Sequence, residues 1–261
     1  MIKFENVEVM GWEAAIRGMR NPMNSWEKSD TDWFHVTNKE DTKTYLEYDE
    51  KNDLYHLIGH NDLELMLKLR NAGTDHRKFM RMITVYLDIT APLYWWKEFD
   101  TYKVGTVANS CSTMHKIADK EFTLDDFSHE HLKRFDYDLS MNDSVDACID
   151  ASGLHDGRVL YSPFGILNLT IKSLNACRKK YLDTKDKKYW WQMIQLLPSS
   201  YNQRRTVMLN YEVLANIYKS RYNHKLDEWH DFCSLIEGLP YSELITADVV
   251  NKEKTNGQND I

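Results

Sequence analysis

Cysteine is scarce and scattered: four in 261 residues, at Cys111, Cys148, Cys177 and Cys233, with no Cys-x-x-Cys pair. A disulfide scaffold would be denser, and a thiolate zinc site would show paired spacing, so the pattern argues against both. Buried, reduced thiols in a cytoplasmic protein are the expectation. No window approaches the roughly eighteen uninterrupted apolar residues of a membrane span. The opening Met1-Ile2-Lys3-Phe4-Glu5 lacks the apolar run of a signal peptide. Positive charge is also short: 33 Lys and Arg face 40 Asp and Glu, for a net charge of −7. This argues against nucleic-acid binding through a broadly basic surface and leaves room for a local basic pocket. Gly-x-Gly-x-x-Gly is absent, as is a serine nucleophile elbow. Gly153-x-x-x-Gly157 lacks the Lys-Ser/Thr of a phosphate loop. His56 and His60 stand four apart without the glutamate of a zinc protease, and His129-Glu130-His131 reads as a solvated face. No metal site is expected.

Aromatic side chains, in contrast, are abundant, at 12% with 8 Trp and 15 Tyr. They suit a dense core or a pocket that stacks planar ligands. The Trp95-Trp96 and Trp190-Trp191 pairs fit either role, with core the commoner one.

Periodicity gives a coarse order. Ile2, Phe4, Val7 and Val9 alternate with polar residues, which predicts a strand over 2–10, followed by a helix from Trp12 to Arg20. Residues 21–53 are polar, with turn signals at Asn21-Pro22 and Ser29-Asp30, and read as loop. Asn61 is placed to cap a helix that Gly73 ends. Ile83, Val85, Leu87 and Ile89 alternate with Thr84, Tyr86, Asp88 and Thr90, the cleanest strand signal in the chain. Pro92 suits the first turn of a helix carrying Leu93, Trp95, Trp96 and Phe99. Helices are expected over 106–118, 124–135, 163–182, 186–196, 200–221 and 225–238. The acidic stretch 119–157 reads as an insertion in one domain spanning 1–245, with a disordered tail over 246–261. The order of strands and helices fits an α+β domain.

Two segments carry candidate chemistry. If 106–115 is helical, Thr106, Asn109 and Ser112 share one face near Lys103, a set suited to an anionic, hydrogen-bonding ligand or to helix capping alone. Further on, Asn210, Leu214, Ile217 and Arg221 follow i, i+4, i+7, i+11 spacing. That puts an amide and a guanidinium on one helical face.

Ala91-Pro92, the aromatic helix, then Thr101-Tyr102-Lys103 and Asn109 through His115 resemble the flavin-dependent thymidylate synthases. In that family Ala-Pro and an aromatic helix precede Arg-His-Arg-x-x-Ser-x-Asn-Glu-x-Ser-x-Arg-Tyr. With one residue inserted near Gly105, Asn109 and Ser112 match, Thr101-Tyr102-Lys103 stands for the Arg-His-Arg triplet, Ser110 for Glu, Met114 for Arg and His115 for Tyr. Pro198, Asn210 and Arg221 match the family's later Leu-Pro, Asn and Leu-Arg without a gap. Glu212 and Ile194 stand where the family has arginines. The resemblance implies a central antiparallel sheet flanked by long helices, a homotetramer, FAD, and dUMP or a similar pyrimidine nucleotide. NADPH and methylenetetrahydrofolate would be cosubstrates of reductive one-carbon transfer. It further implies Arg221 at the pyrimidine, Lys103 and Ser112 at the phosphate, and Tyr102, Asn109, Asn210 and His76 at the flavin. Arg204 and Arg205 are at hand to replace lost cations. The same pattern fits an inactive or repurposed relative, because Lys is a point charge and cannot reproduce a bidentate guanidinium.

Overall fold

The computed structural model describes residues 2–36, 44–133 and 163–248. The chain forms two compact units, one of Ala91–Tyr94 with Cys111–Gln203, the other of Ile2–Thr90, Trp95–Ser110 and the chain from Arg204 onward. Helices and antiparallel sheet are mixed, as an α+β reading requires.

The larger unit starts with β1 (Lys3–Met10) and α1 (Trp12–Arg20). It continues through β2 (Asp32–Phe34), β3 (Glu47–Asp49), β4 (Leu54–Leu57) and α2 (His60–Asn71). A 3₁₀ turn at Arg77–Arg81 leads into β5 (Thr84–Pro92), and α3 (Leu93–Phe99) follows it directly. After β6 (Val107–Ser110) the chain returns to this unit at β7 (Asn202–Asn210), α7 (Tyr211–Arg221) and α8 (Asp227–Glu237). The four-stranded sheet has the order β1-β5-β7-β6. Period-two alternation buries Val85, Leu87 and Ile89 of β5 on one face, as the sequence pattern demands. β1 runs antiparallel to it, Lys3 opposite Thr90 and Met10 opposite Thr84, with a register shift between Glu5 and Glu8. Behind the sheet, Trp95, Phe99, Trp229 and Phe232 form an aromatic core, with Trp95 and Trp229 centroids 4.8 Å apart.

Residues 21–53, expected as loop, contribute β2 and β3 to a second sheet of order β2-β4-β3. Both are three-residue strands, too short to show alternation, and pairing with β4 holds them. His56 lies in β4, stacked on Trp33, while His60 opens α2, so the two histidines share no helix. The N-cap of α2 is Gly59 rather than Asn61. Beneath this region Asp62 is fully buried and accepts from Arg20, Ser29 and Thr31. Burial pushes its carboxyl up, but those hydrogen bonds outweigh burial and hold it below the usual carboxylate range. At the other end, residues 243–248 are helical and Asp248 pairs with the buried Arg70 at 2.7 Å. The rest of the expected tail lies outside the described residues.

The smaller unit holds α4 (Thr113–Lys116), α5 (Pro163–Thr184) and α6 (Lys187–Leu196). Leu167, Ile171, Leu174 and Met193 of the helix pair pack on Ile117, Phe122 and Phe127. The described start of the acidic stretch is therefore anchored by two buried phenylalanines. The helix expected at 124–135 is only a 3₁₀ turn at Leu124–Asp126, with residues beyond 133 outside the described set. Of the cysteines described, Cys233 is buried and its thiol is pushed up to about 12 by burial, whereas Cys111 is exposed.

Candidate functional site

Two helices expected from sequence are corrected here. Residues 106–118 contain β6 and the short α4, and 200–221 splits into strand β7 and helix α7. β6 pairs antiparallel with β7, Val107 opposite Met208 and Ser110 opposite Arg205. Thr106, Asn109 and Ser112 therefore share no helical face. Asn109 is exposed on an edge strand, opposite Thr206. Ser112 belongs to the smaller unit, where its hydroxyl caps α4 and lies 2.9 Å from His115 Nδ1.

In the larger unit the two chemistry-bearing segments meet. Arg221, the last residue of α7, donates through Nε to Tyr102 Oη at 2.9 Å and through Nη1 to Glu98 Oε2 at 2.8 Å. Trp229 Nε1 donates to the same Glu98 oxygen at 2.8 Å, and His224 Nε2 lies 3.4 Å from it. The guanidinium also sits over the Trp229 ring, 4.7 Å from its centroid. Glu98 thus gathers an arginine, an indole and an imidazole around one carboxylate.

Asn210 is the N-cap of α7, its Oδ1 accepting from Val213 N at 3.0 Å, so the residue begins the helix rather than lying within it. Its Nδ2 donates to Gly105 O at 3.4 Å. Gly105 has φ of 75°, which favours glycine, and a Cβ there would come within 2.6 Å of Asn210 Nδ2, so that amide would have to shift to admit a side chain. That turn carries Tyr102 and Lys103, which line a cavity of about 290 Å³ with Phe99, Asp100, Thr106 and Ala108. Thr106 Oγ1 is buried with no hydrogen-bond partner among the described residues. Lys103 is exposed and has no ion pair among them.

The other sequence-predicted cations are committed to carboxylates. Arg204 bridges Glu5 at 3.0 Å and Asp88 at 2.8 Å. Arg205 meets Asp100 at 2.7 Å and lies over Trp96, 4.1 Å from the ring centroid. His76 is exposed ahead of the 3₁₀ turn whose Arg77 and Arg81 both pair with the buried Glu212 of α7. Sequence reading singled out neither Glu98 nor His224. Arg221-x-x-His224 offered a local hint, but nothing in the sequence points from Arg221 to a carboxylate 123 residues away. Among the described residues no cluster of three or more His, Cys, Asp or Glu is arranged to hold a metal.

No protein-family model matches the chain, and no curated protein does. Solved structures do. One is thymidylate synthase X from Helicobacter pylori with FAD and dUMP: TM-score 0.57, 14% identity, covering 94% of this chain and 97% of that one. Another structure of the flavin-dependent thymidylate synthase from the same organism, also complexed with FAD and dUMP, gives a TM-score of 0.56 at 15% identity over the same shares. At that identity the likeness is one of fold.

Proposed function

We propose that this chain is a divergent flavin-dependent thymidylate synthase-like protein. It would bind FAD and a pyrimidine nucleotide of the dUMP kind, and its reaction would be reductive one-carbon transfer with NADPH and methylenetetrahydrofolate. One observation supports this most. Within a fold similar to thymidylate synthase X, the segments around Tyr102 and Arg221 that carry the sequence resemblance are joined by a 2.9 Å hydrogen bond.

The donor set fits part of a flavin nucleotide. Lys103 offers a cation, Thr106 Oγ1 an unused hydroxyl, and Tyr102 a ring, all around one cavity. At about 290 Å³ that cavity is at the lower limit of ligand sites and smaller than a dinucleotide. The reading therefore includes a homotetramer, in which neighbouring copies would complete the flavin site. When bound, flavin would supply hydride chemistry. This chain's residues would bind and orient: Lys103, Arg204 and Arg205 toward phosphate, Tyr102, Asn109, Asn210 and His76 toward flavin, Arg221 toward the pyrimidine. Ser112 is assigned to phosphate on the resemblance alone.

A second reading has its own observation. Arg204, Arg205 and Arg221 all pair with carboxylates, which lowers the net positive potential available to a phosphate. That favours an inactive or repurposed relative that keeps the fold and binds nucleotide weakly. Flavin absorbance after adding FAD, with the thermal shift produced by dUMP, separates the two. Yellow protein stabilised by dUMP and active with both cosubstrates supports the enzyme; dUMP stabilisation without turnover supports the relative. Colourless protein indifferent to dUMP overturns both. Size-exclusion chromatography checks the tetramer.

A further inference from the structure

In the smaller unit Lys116, Lys120 and Lys188 pair with carboxylates, but among the described residues three other cations do not. Arg20, Arg70, Arg77, Arg81, Arg204, Arg205 and Arg221 each meet a carboxylate. Around the turn between α5 and α6, Arg178, Lys185 and Lys187 have no carboxylate partner among the described residues. Arg178 is instead oriented by main-chain carbonyls, Nε donating to Ala118 O at 2.9 Å and Nη2 to Asp119 O at 3.3 Å. Lys185 follows the end of α5 at φ 58° and lies 6.0 Å from the Tyr181 centroid; Lys187 lies 5.8 Å from that of Trp190. Residues 178–188 hold six Lys and Arg against two Asp, in a chain whose net charge is −7.

Arg178, Lys185, Tyr181 and Trp190 line one cavity of about 520 Å³, with His115 on its wall. Trp190 is fixed there by its Nε1–H bond to Met114 O at 3.0 Å. The one carboxylate on the wall, Asp119, is neutralised by Lys116 at 2.9 Å. A volume in the range of small-molecule sites, unneutralised cations and two rings at the wall match a ligand that is polyanionic at one end and planar at the other.

We propose that this cavity binds a nucleoside polyphosphate, its phosphates met by Arg178 and Lys185 with Lys187 beside them, and its base by Trp190. A mononucleotide offers too little charge for these cations. A single strand of nucleic acid calls for cations spread along a groove rather than gathered at one cavity. The inference is independent of the flavin reading, since Lys103, Asn210 and Arg221 take no part in it.

Equilibrium dialysis of the full chain with labelled ATP tests it. ATP is expected to bind, with tripolyphosphate competing less well and adenosine less still. Lys185→Gln, an exposed change that spares folding, is expected to weaken binding at least about tenfold, and Arg178→Gln similarly. Trp190→Ala should lose binding that Trp190→Phe largely restores, while Arg221→Ala leaves it unchanged. No binding at millimolar ATP, or binding indifferent to Lys185→Gln and Arg178→Gln, overturns the proposal. So does displacement by tripolyphosphate as effective as by ATP, which would make the site a mere charge patch. A short oligothymidylate that binds more tightly than ATP, or loss of ATP binding in Arg221→Ala, likewise overturns it.

Discussion

Arg221 and Glu98 are held 2.8 Å apart, from the end of α7 to α3, with Glu98 also receiving the Trp229 indole N–H. The arginine that the proposed site would use for a nucleotide is thus already neutralised by an internal anion. Any phosphate or pyrimidine oxygen seeking that guanidinium competes with Glu98. Glu98→Gln keeps the shape and removes the competing charge, so it is expected to enlarge the dUMP-induced thermal shift and tighten binding by about tenfold, the size of one charge-assisted contact. Arg221→Ala should abolish the shift. A Glu98→Gln protein no more responsive to dUMP than the parent would remove this pair from the site.

A second coupling joins Gly105 to Asn210. Asn210→Ala deletes the N-cap of α7 and should cost about 1 kcal/mol in urea unfolding. Gly105→Ala should cost more, because its φ of 75° suits glycine and its new Cβ would press on Asn210 Nδ2. The double variant relieves that collision, so it should be less destabilised than the two singles summed. Strict additivity would show that Asn210 yields freely and does not hold the turn.

How much of this was legible beforehand follows from burial. β5 and α3 were readable because Val85, Leu87 and Ile89 and then Trp95, Trp96 and Phe99 are buried at strand and helix spacing. β7 does not announce itself as a strand, because its first half, from Asn202 to Thr206, carries polar residues without a buried face, and burial of Val207 and Leu209 starts late. β6 gave no signal at all: its four residues are exposed, and pairing with β7, far away in sequence, makes it a strand. That is tertiary context overriding local pattern. The same limit hid the site: Arg221, Asn210 and Tyr102 were named from spacing and resemblance, but Glu98, which sets the charge they present, is found only through contacts.

Asp62 makes a sharper stability test. Its carboxylate is fully buried and shared by Arg20 at 2.7 Å, Ser29, Thr31 and the Asp30 and Thr31 amides. Asp62→Ala strands the buried Arg20 guanidinium and is expected to cost about 3–5 kcal/mol. Pairing it with Arg20→Met, which removes the stranded charge, should recover part of that loss. A double variant as unstable as Asp62→Ala alone would place the cost in the loop Ser29–Thr31 rather than in the unpaired cation.

Asp88 gives the pH dependence. Thr206 Oγ1 first, then Arg204 and Asn6, donate to its carboxylate and hold its pKa down to about 2. A depressed folded-state pKa means the unfolded chain binds a proton first. The contribution is therefore fully present above the ordinary carboxylate pKa, near 4, and is lost as pH falls toward 2. Thermal melts of the parent protein should fall through that window more steeply than those of Asp88→Asn, whose amide cannot titrate. Above about pH 5 the parent is expected to be the more stable of the two, because the variant lacks the charge-assisted bonds that join β1, β5 and β7 at this point. Parallel pH dependences for the two proteins from pH 5 to 2 would show that folding does not hold the Asp88 pKa down.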